Sequence, residues 1–247
     1  MNRRSLLCAA LPLVTLPMLN GCFEQVPSAE VSTDAMYASA ELTSRDGVST
    51  DIQVELTVGG PLGTNVDVQN GDQLKASAMG QTVTLVKESE MFGGAHYVGT
   101  IAHAAENVAF SVDYLRGDAS TQAQGCGRTN AVGSFAVMTK PFEIAPMLTS
   151  VRFASPVTIA WSNRDNDPIH VAVSGACIVG GRDEVSDTGA FAVEASWLAQ
   201  RNPKLPSSCS VTAVVTRCRA GQVSPAFGEG GQVKACQERS LSFRVSP

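Results

Sequence analysis

Apolar and polar residues alternate along much of this chain, and that alternation restricts its possible folds more than any other feature. Over residues 51–58 every second residue is apolar, and residues 108–115 repeat the pattern. A period of two is typical of strands with one buried face, because successive side chains point to opposite sides. Turn-forming pairs such as Asn70-Gly71 separate these runs, so the chain is predicted to be all-β.

The predicted strands form two groups of similar pattern. The first group covers 36–42, 51–58, 72–78, 81–87, 96–102, 108–115 and 133–139. The second covers 149–154, 157–162, 168–174, 176–180, 189–195, 210–218 and 232–245, with one short helical turn at 194–200. Each group is typical of an immunoglobulin-like β-sandwich, so two tandem sandwiches are expected.

Two prolines in residues 140–146 lie between the groups and predict a hinge that few contacts cross. The predicted domains are therefore 36–140 and 141–247. Residues 22–35 are mostly polar and lack periodicity, which predicts a short flexible tether before the first sandwich.

The amino terminus has the pattern of an export signal. Arg3 and Arg4 precede an uncharged run over residues 6–19, which two prolines interrupt. This run is too short to span a bilayer, so residues 1–21 are predicted to be a signal peptide. The signal ends in Leu19-Asn20-Gly21-Cys22, which resembles the lipobox of bacterial lipoproteins. The resemblance implies cleavage after residue 21 and a lipid on the Cys22 thiol, which would hold the chain to a membrane.

The resemblance also bears on location. Phe23 follows the lipid site, where an aspartate would imply retention in the inner membrane, so the outer membrane is the expected location. The arginine pair leaves general secretion and twin-arginine export both open. Residues 217–243 resemble the tails of uncharacterised envelope lipoproteins of Gram-negative bacteria, a likeness that implies class and location but no activity.

The charge balance is acidic. The sequence has 18 basic and 23 acidic residues, and removing residues 1–21 takes away two arginines, which leaves a net charge of −7. Nucleic acid and anionic lipid headgroups would require a basic surface, so neither is an expected partner.

Five cysteines remain after Cys8 leaves with the signal and Cys22 takes lipid. An oxidising compartment favours disulfides. By strand parity Cys218 and Cys236 share the polar outer face of one predicted hairpin, within reach of a cross-strand bond. Parity points Cys177 and Cys209 into the core from different strands, which predicts a disulfide between them as an inter-sheet bridge, unless a bulge at Gly175 turns Cys177 outward. Cys126 is left as the free thiol.

The sequence contains few features of catalytic sites. The histidines are His96, His103 and His170, and known hydrolase, zinc-protease and nucleotide-binding motifs are missing from the sequence. Cys177 and His170 could form a nucleophile pair, but no orienting partner is evident. We therefore predict no enzyme activity and no cofactor.

Each of two loops has two possible interpretations. Asn163, Asp165 and Asp167 alternate oxygen ligands as calcium sites do, yet Asn and Asp are also ordinary turn residues, and the turn is favoured over a metal. Residues 219–231 form either a plain hairpin loop or a recognition loop with Phe227 as an exposed anchor.

These features favour a non-enzymatic envelope lipoprotein that binds another envelope protein or a cell-wall component. An accessory subunit of an envelope assembly is the alternative, and an enzyme with an unrecognised site is a third hypothesis. A deep pocket lined by convergent acids or histidines would favour the enzyme.

Overall fold

The computed structural model describes residues 25–45, 47–89, 94–102, 107–117, 130–145, 149–202, 204 and 208–247. Most of these residues lie in strands, and the helical elements among them are two 3-10 turns, Ser28–Glu30 and Thr33–Ala35. None of the described helices is long and apolar enough to cross a membrane. The predicted all-β class is confirmed.

The strands follow the chain in two sets. The first set is β1 (Val26–Pro27), β2 (Met36–Ser44), β3 (Thr50–Val58), β4 (Thr64–Asp67), β5 (Gln73–Ala78), β6 (Gln81–Thr84), β7 (Val86–Ser89), β8 (Ala95–Ile101), β9 (Ala109–Leu115) and β10 (Ala131–Val137). The second set is β11 (Ser150–Arg152), β12 (Val157–Ala160), β13 (Ile169–Gly175), β14 (Gly181–Val185), β15 (Ala190–Val193), β16 (Cys209–Ala220) and β17 (Gly231–Ser246).

One large sheet runs through both sets. Its order is β1-β4-β3-β2-β17-β16-β13-β14, with β8 also on β3, β7 on β8 and β11 on β17. Two smaller sheets, β10-β9-β5-β6 and β12-β15, complete the described architecture.

Each small sheet shares a hydrophobic core with the large sheet. In the first core, Leu42 and Ile52 of the large sheet join Phe110 and Tyr114 of β9. In the second core, Val171 and Val215 of the large sheet join a set from the small sheet: Val157, Ile159 and Val193. The protein is thus two sandwich-like units side by side on a common sheet, and alternation puts the apolar face of each strand inward.

The last strand, β17, belongs to both sandwiches. Its first half, Gly231–Gln237, pairs in parallel with β2, and its residues from Lys234 to Val245 pair with β16. Val233 and Ala235 pack in the first core, whereas Phe243 and Val245 pack in the second. The first core therefore contains residues from the carboxyl-terminal side of the domain boundary predicted between residues 140 and 141.

Residues 25–35 are packed against the first sandwich, unlike the flexible tether predicted over 22–35. β1 pairs with β4, and Ser28 and Thr33 are fully buried. The Arg116 guanidinium donates to Thr33 Oγ1 (3.1 Å), to the Ser28 carbonyl (2.9 Å) and to the Val31 carbonyl. The sequence pattern missed this because the contacts are made by side chains far along the chain. Residues 22–24 and the signal peptide lie outside the described residues.

Several predicted elements differ from the structure, and the predicted strand 81–87 is divided into β6 and β7. β4 was not predicted, since its four residues are too few to show a period. Residues 176–180 are a turn rather than a strand, and β14 begins at Gly181 after Gly180 takes a left-handed φ of 77°. Residues 194–200 form turns rather than a helical segment, with Trp197 N donating to Glu194 O at 3.0 Å.

Candidate functional site

The outer face of the large sheet, the side away from both cores, carries the candidate site. Strand pairing aligns side chains across this face in continuous rows. One row runs Cys218, Cys236, Thr43, Asp51 and Thr100, from β16 to β8. A neighbouring row runs Glu184, His170, Thr216 and Glu238.

These rows line three adjoining shallow depressions, which share lining residues and are together called the outer groove, from β14 to β8. Its charged lining residues are six acids and three bases among the residues described: Glu41, Asp51, Glu88, Asp183, Glu184, Glu238, Arg45, Arg182 and Lys234. Hydroxyls of Thr43, Thr100 and Thr216 add hydrogen-bonding groups. The groove is therefore polar, net acidic and shared by both sandwiches.

Cross-strand ion pairs hold the groove side chains in place. Lys234 Nζ lies 2.7 Å from Glu41 Oε2. Arg45 contacts Asp51 at 3.0 Å and Glu238 at 3.4 Å, and so joins β2, β3 and β17. Such exposed pairs contribute little stability, so their main effect is to order the surface.

A disulfide lies in the floor of the groove. Cys218 and Cys236 are direct cross-strand partners with Cα atoms 4.1 Å apart. The second disulfide, Cys177–Cys209, closes the far end of the second core. Strand parity predicted both pairs, and β13 continues in register through Gly175, so no bulge turns Cys177 outward. The Cys177–Cys209 bond joins the ends of two neighbouring strands of one sheet, however, and not two sheets as predicted. Cys126 lies outside the described residues.

The inner face of the same sheet has a buried polar seam between the two cores. Arg217, Gln237 and Ser44 are aligned there across β16, β17 and β2. The Arg217 guanidinium is fully buried and lies 2.8 Å from the equally buried carboxylate of Asp187. It also donates to the carbonyls of Asn163 (2.7 Å) and Lys140.

Asp187 satisfies three buried donors at once. Besides Arg217, it accepts from Trp161 Nε1 at 2.7 Å and from the Asp165 backbone N–H at 2.7 Å. Burial by itself would raise the pKa of Asp187, but these hydrogen bonds and the Arg217 charge outweigh burial and lower the pKa below 3.8. The carboxylate is therefore ionised in the folded protein at neutral pH.

The chain connecting the two sandwiches is fastened to this seam, contrary to the hinge predicted at 140–146. Gln237 donates to the Thr139 carbonyl, and the Lys140 N–H donates to Asp165 at 2.8 Å. Phe142 is fully buried, with the Arg217 guanidinium 4.8 Å from its ring centre. The described part of the connection, through residue 145, is held to the sheet by backbone and side-chain contacts.

An arginine side chain occupies the loop for which calcium binding was the alternative prediction. Asp165 and Asp167 each lie 2.7 Å from Arg219 Nη2, and Asn163 donates to the Pro141 carbonyl at 2.9 Å. The hydrogen bond to Asp167 is the main reason that the pKa of Arg219 is raised. No metal-binding cluster occurs among the residues that the structure describes, and Asn163 adopts the positive φ of a turn.

One of the two interpretations of residues 219–231 made Phe227 an exposed anchor, and that alternative is wrong. Phe227 is 5% exposed, packs in the first core and lies 6.3 Å from the Tyr114 ring. Gly228 beside it contacts the backbone of Asp34, which lets the loop fold onto the sandwich instead of extending into solvent.

The structure does not assemble the nucleophile pair drawn from the sequence. Cys177 forms a disulfide bond with Cys209. The exposed His170 lies in the outer groove, with its Nδ1 atom 3.7 Å from Glu184 Oε2. His96 lies 3.4 Å from Glu88 at the other side of the groove. His103 lies outside the described residues.

Sequence reasoning missed both the outer groove and the buried seam, although one signal for the seam is present. Arg217, Gln237 and Arg239 occupy inward positions by the parity of their strands, where apolar residues were expected. A polar run at inward parity indicates either a strand end or a buried network, and here it is the network.

The fold and groove define an all-β protein in which two sandwich-like cores share one sheet. No protein-family model and no curated protein matches its sequence. Among solved structures, the FN1–FN3 domains of chicken CNTN1 are similar with a TM-score of 0.34 and 12% sequence identity. The match covers 91% of this chain and 70% of that chain, and at this TM-score it assigns neither family nor function.

Proposed function

We propose that this protein is a lipid-anchored envelope protein of the outer membrane that binds another envelope protein without catalysing a reaction. The outer groove is the binding surface, and its acidic lining selects a partner with a basic surface. The single observation that carries the proposal is this series of adjoining depressions, which crosses both sandwiches and is lined by polar side chains along its length.

The anchor part of the proposal rests on the lipobox-like residues before Cys22. Only residues 23 and 24 separate Cys22 from Gln25, and Lys87 holds the Gln25 side chain at 2.7 Å. A lipid on Cys22 would therefore keep the first sandwich close to the membrane. Because β17 starts in the first sandwich and ends in the second, the second sandwich would lie farther from the membrane than the first.

The rigid junction supports a binding role for the whole face. Arg217, Gln237 and Asp165 fasten the connecting chain, so both halves of the groove keep one relative position. A preorganised surface loses less entropy on binding than a hinged one. This arrangement suits recognition of one extended partner surface better than two separate ligands.

Replacing Cys22 with alanine is expected to abolish labelling of the protein by a fatty-acid analogue. The physical reason is that the Cys22 thiol is the proposed attachment atom, and the described residues contain no membrane-spanning helix. Labelling is measured in growing cells, with Cys126→Ala as the matched control that should keep the label. Label that persists on the Cys22 variant would contradict the anchor.

Photo-crosslinking tests the binding surface. A photoreactive amino acid at Gln53 or Thr216, at opposite sides of the groove, is expected to give an adduct with the same partner. Thr84 on β6 is the control position, since it is exposed but lies on the small sheet of the first sandwich. Equal adducts at all three positions, or a peptidoglycan adduct in place of a protein, would reject the proposed partner class.

A further inference from the structure

The β3–β4 turn presents an apolar side chain to solvent. Leu62 is 98% exposed, more than any other large hydrophobic residue described. Gly59 and Gly60 both have left-handed φ values, and a Cβ on either would meet no described atom within 4 Å, so the turn projects outward. Residues 58–66 contain no charged side chain, so the turn can leave water without desolvating an ion.

The chain enters the structure at the same end. β1 is parallel to β4, with Val26 opposite Val66, so both strands start at one end of the sheet. The β3–β4 turn directly precedes β4 and therefore lies at this end, here called the entry end. From Gln25 back to Cys22 the chain can extend about 11 Å at most. A lipid on Cys22 would therefore be attached within this distance of the entry end, where the tip of the turn also lies.

We propose that Leu62 inserts into the membrane that holds the lipid on Cys22, so that the protein docks with its entry end toward the bilayer. This inference rests on the proposed anchor. The occupant of the exposed turn is a lipid surface, because the short connection to Gln25 would keep a lipid on Cys22 near the end of the sheet where the turn lies. Insertion is apolar, so it requires no basic patch and is compatible with the protein's net negative charge.

Because the lipid would already hold the protein at the membrane, insertion of a single leucine is sufficient to dock the turn. The anchor converts insertion into an intramolecular event, so a weak contact is populated at the high effective concentration set by a short connection. Two points of attachment also fix orientation: β17 then leads away from the membrane over about 50 Å, since each strand residue advances about 3.3 Å. The protein then extends away from the membrane, and the outer groove lies on one of its lateral faces.

The test uses the full lipidated protein in phosphatidylcholine vesicles, with an environment-sensitive fluorescent amino acid at position 62. The matched control places the same probe at Val48, which is 70% exposed at the other end of β3. We expect a blue-shifted emission and quenching by a lipid-borne quencher at position 62, and water-like emission at position 48.

Mass spectrometry of the same samples separates the two possible failures. Water-like emission at position 62 in protein that carries the lipid overturns the insertion and leaves the anchor standing. A protein without lipid overturns the anchor itself. Equal shifts at positions 48 and 62, or a shift at 62 without vesicles, would also reject the inference, since they indicate a flat orientation or contact with a second copy.

Discussion

Residues 25–142 produced alone are expected to lose cooperative unfolding entirely. This fragment lacks β17, so all seven residue pairs between Gly231–Gln237 and β2 disappear. It also lacks Phe227, Val233 and Ala235, which pack in the first core. Burial of a Phe or Val side chain contributes about 1.5–3 kcal/mol, and a domain is stable by only about 5–15 kcal/mol. Urea titration followed by circular dichroism measures the loss.

Restoring the missing strand is the control. Residues 221–240 joined to the fragment by a flexible linker are expected to bring back a sigmoidal unfolding curve, because they supply both the ladder to β2 and the three core side chains. Co-expression with residues 143–247 should do the same. A cooperative transition in the unassisted fragment would mean that the first core closes without β17, and would support the independent domains predicted from the sequence.

Replacing Asp187 with alanine is expected to destabilise the protein by about 3–5 kcal/mol, since it leaves the buried Arg217 cation without its counter-ion. The substitution also orphans the Trp161 and Asp165 donors. Asp183→Ala is the matched control, because that carboxylate is exposed and its change should stay within about 0.5 kcal/mol. An Asp187→Ala variant as stable as the control would mean that Arg217 is solvated in solution.

The pH dependence of unfolding checks the same contact. The pKa of Asp187 is lower in the folded protein than its usual 3.8, so the folded state is favoured above that pH. Its contribution is lost as the pH falls below 3.8 and through the folded-state pKa. Asp187→Asn cannot titrate at this site, so its free energy of unfolding should fall less steeply with decreasing pH than that of the unmodified protein.

Much of the fold follows from alternation. The long strands β2, β3, β16 and β17 were predicted because each buries one face over many residues, which gives a clear period of two. The same parity predicted both disulfides, since side chains of equal parity on paired strands face the same side. Both features depend on which face of its strand a side chain occupies, and the local sequence determines that face.

Strand order and the destination of loops are non-local, and the sequence did not reveal them. Parallel pairing of β17 with β2 joins residues almost 200 positions apart, and no turn signal marks it. Phe227 was misplaced because a glycine-rich loop looks the same whether it extends or folds back onto a core. The outer groove is missed for the same reason, since its rows exist only once β13 to β8 are placed side by side.

The position of β17 in the chain determines when the protein can fold. A chain that emerges amino terminus first, from a ribosome or a translocation channel, presents β2 long before β17, whereas β16 precedes β17 by only ten residues. Neither core is complete until residues 231–246 arrive, since β17 contributes side chains to both. Pairing across such long sequence separations is intrinsically slow. Both cores therefore become complete only after β17 has emerged.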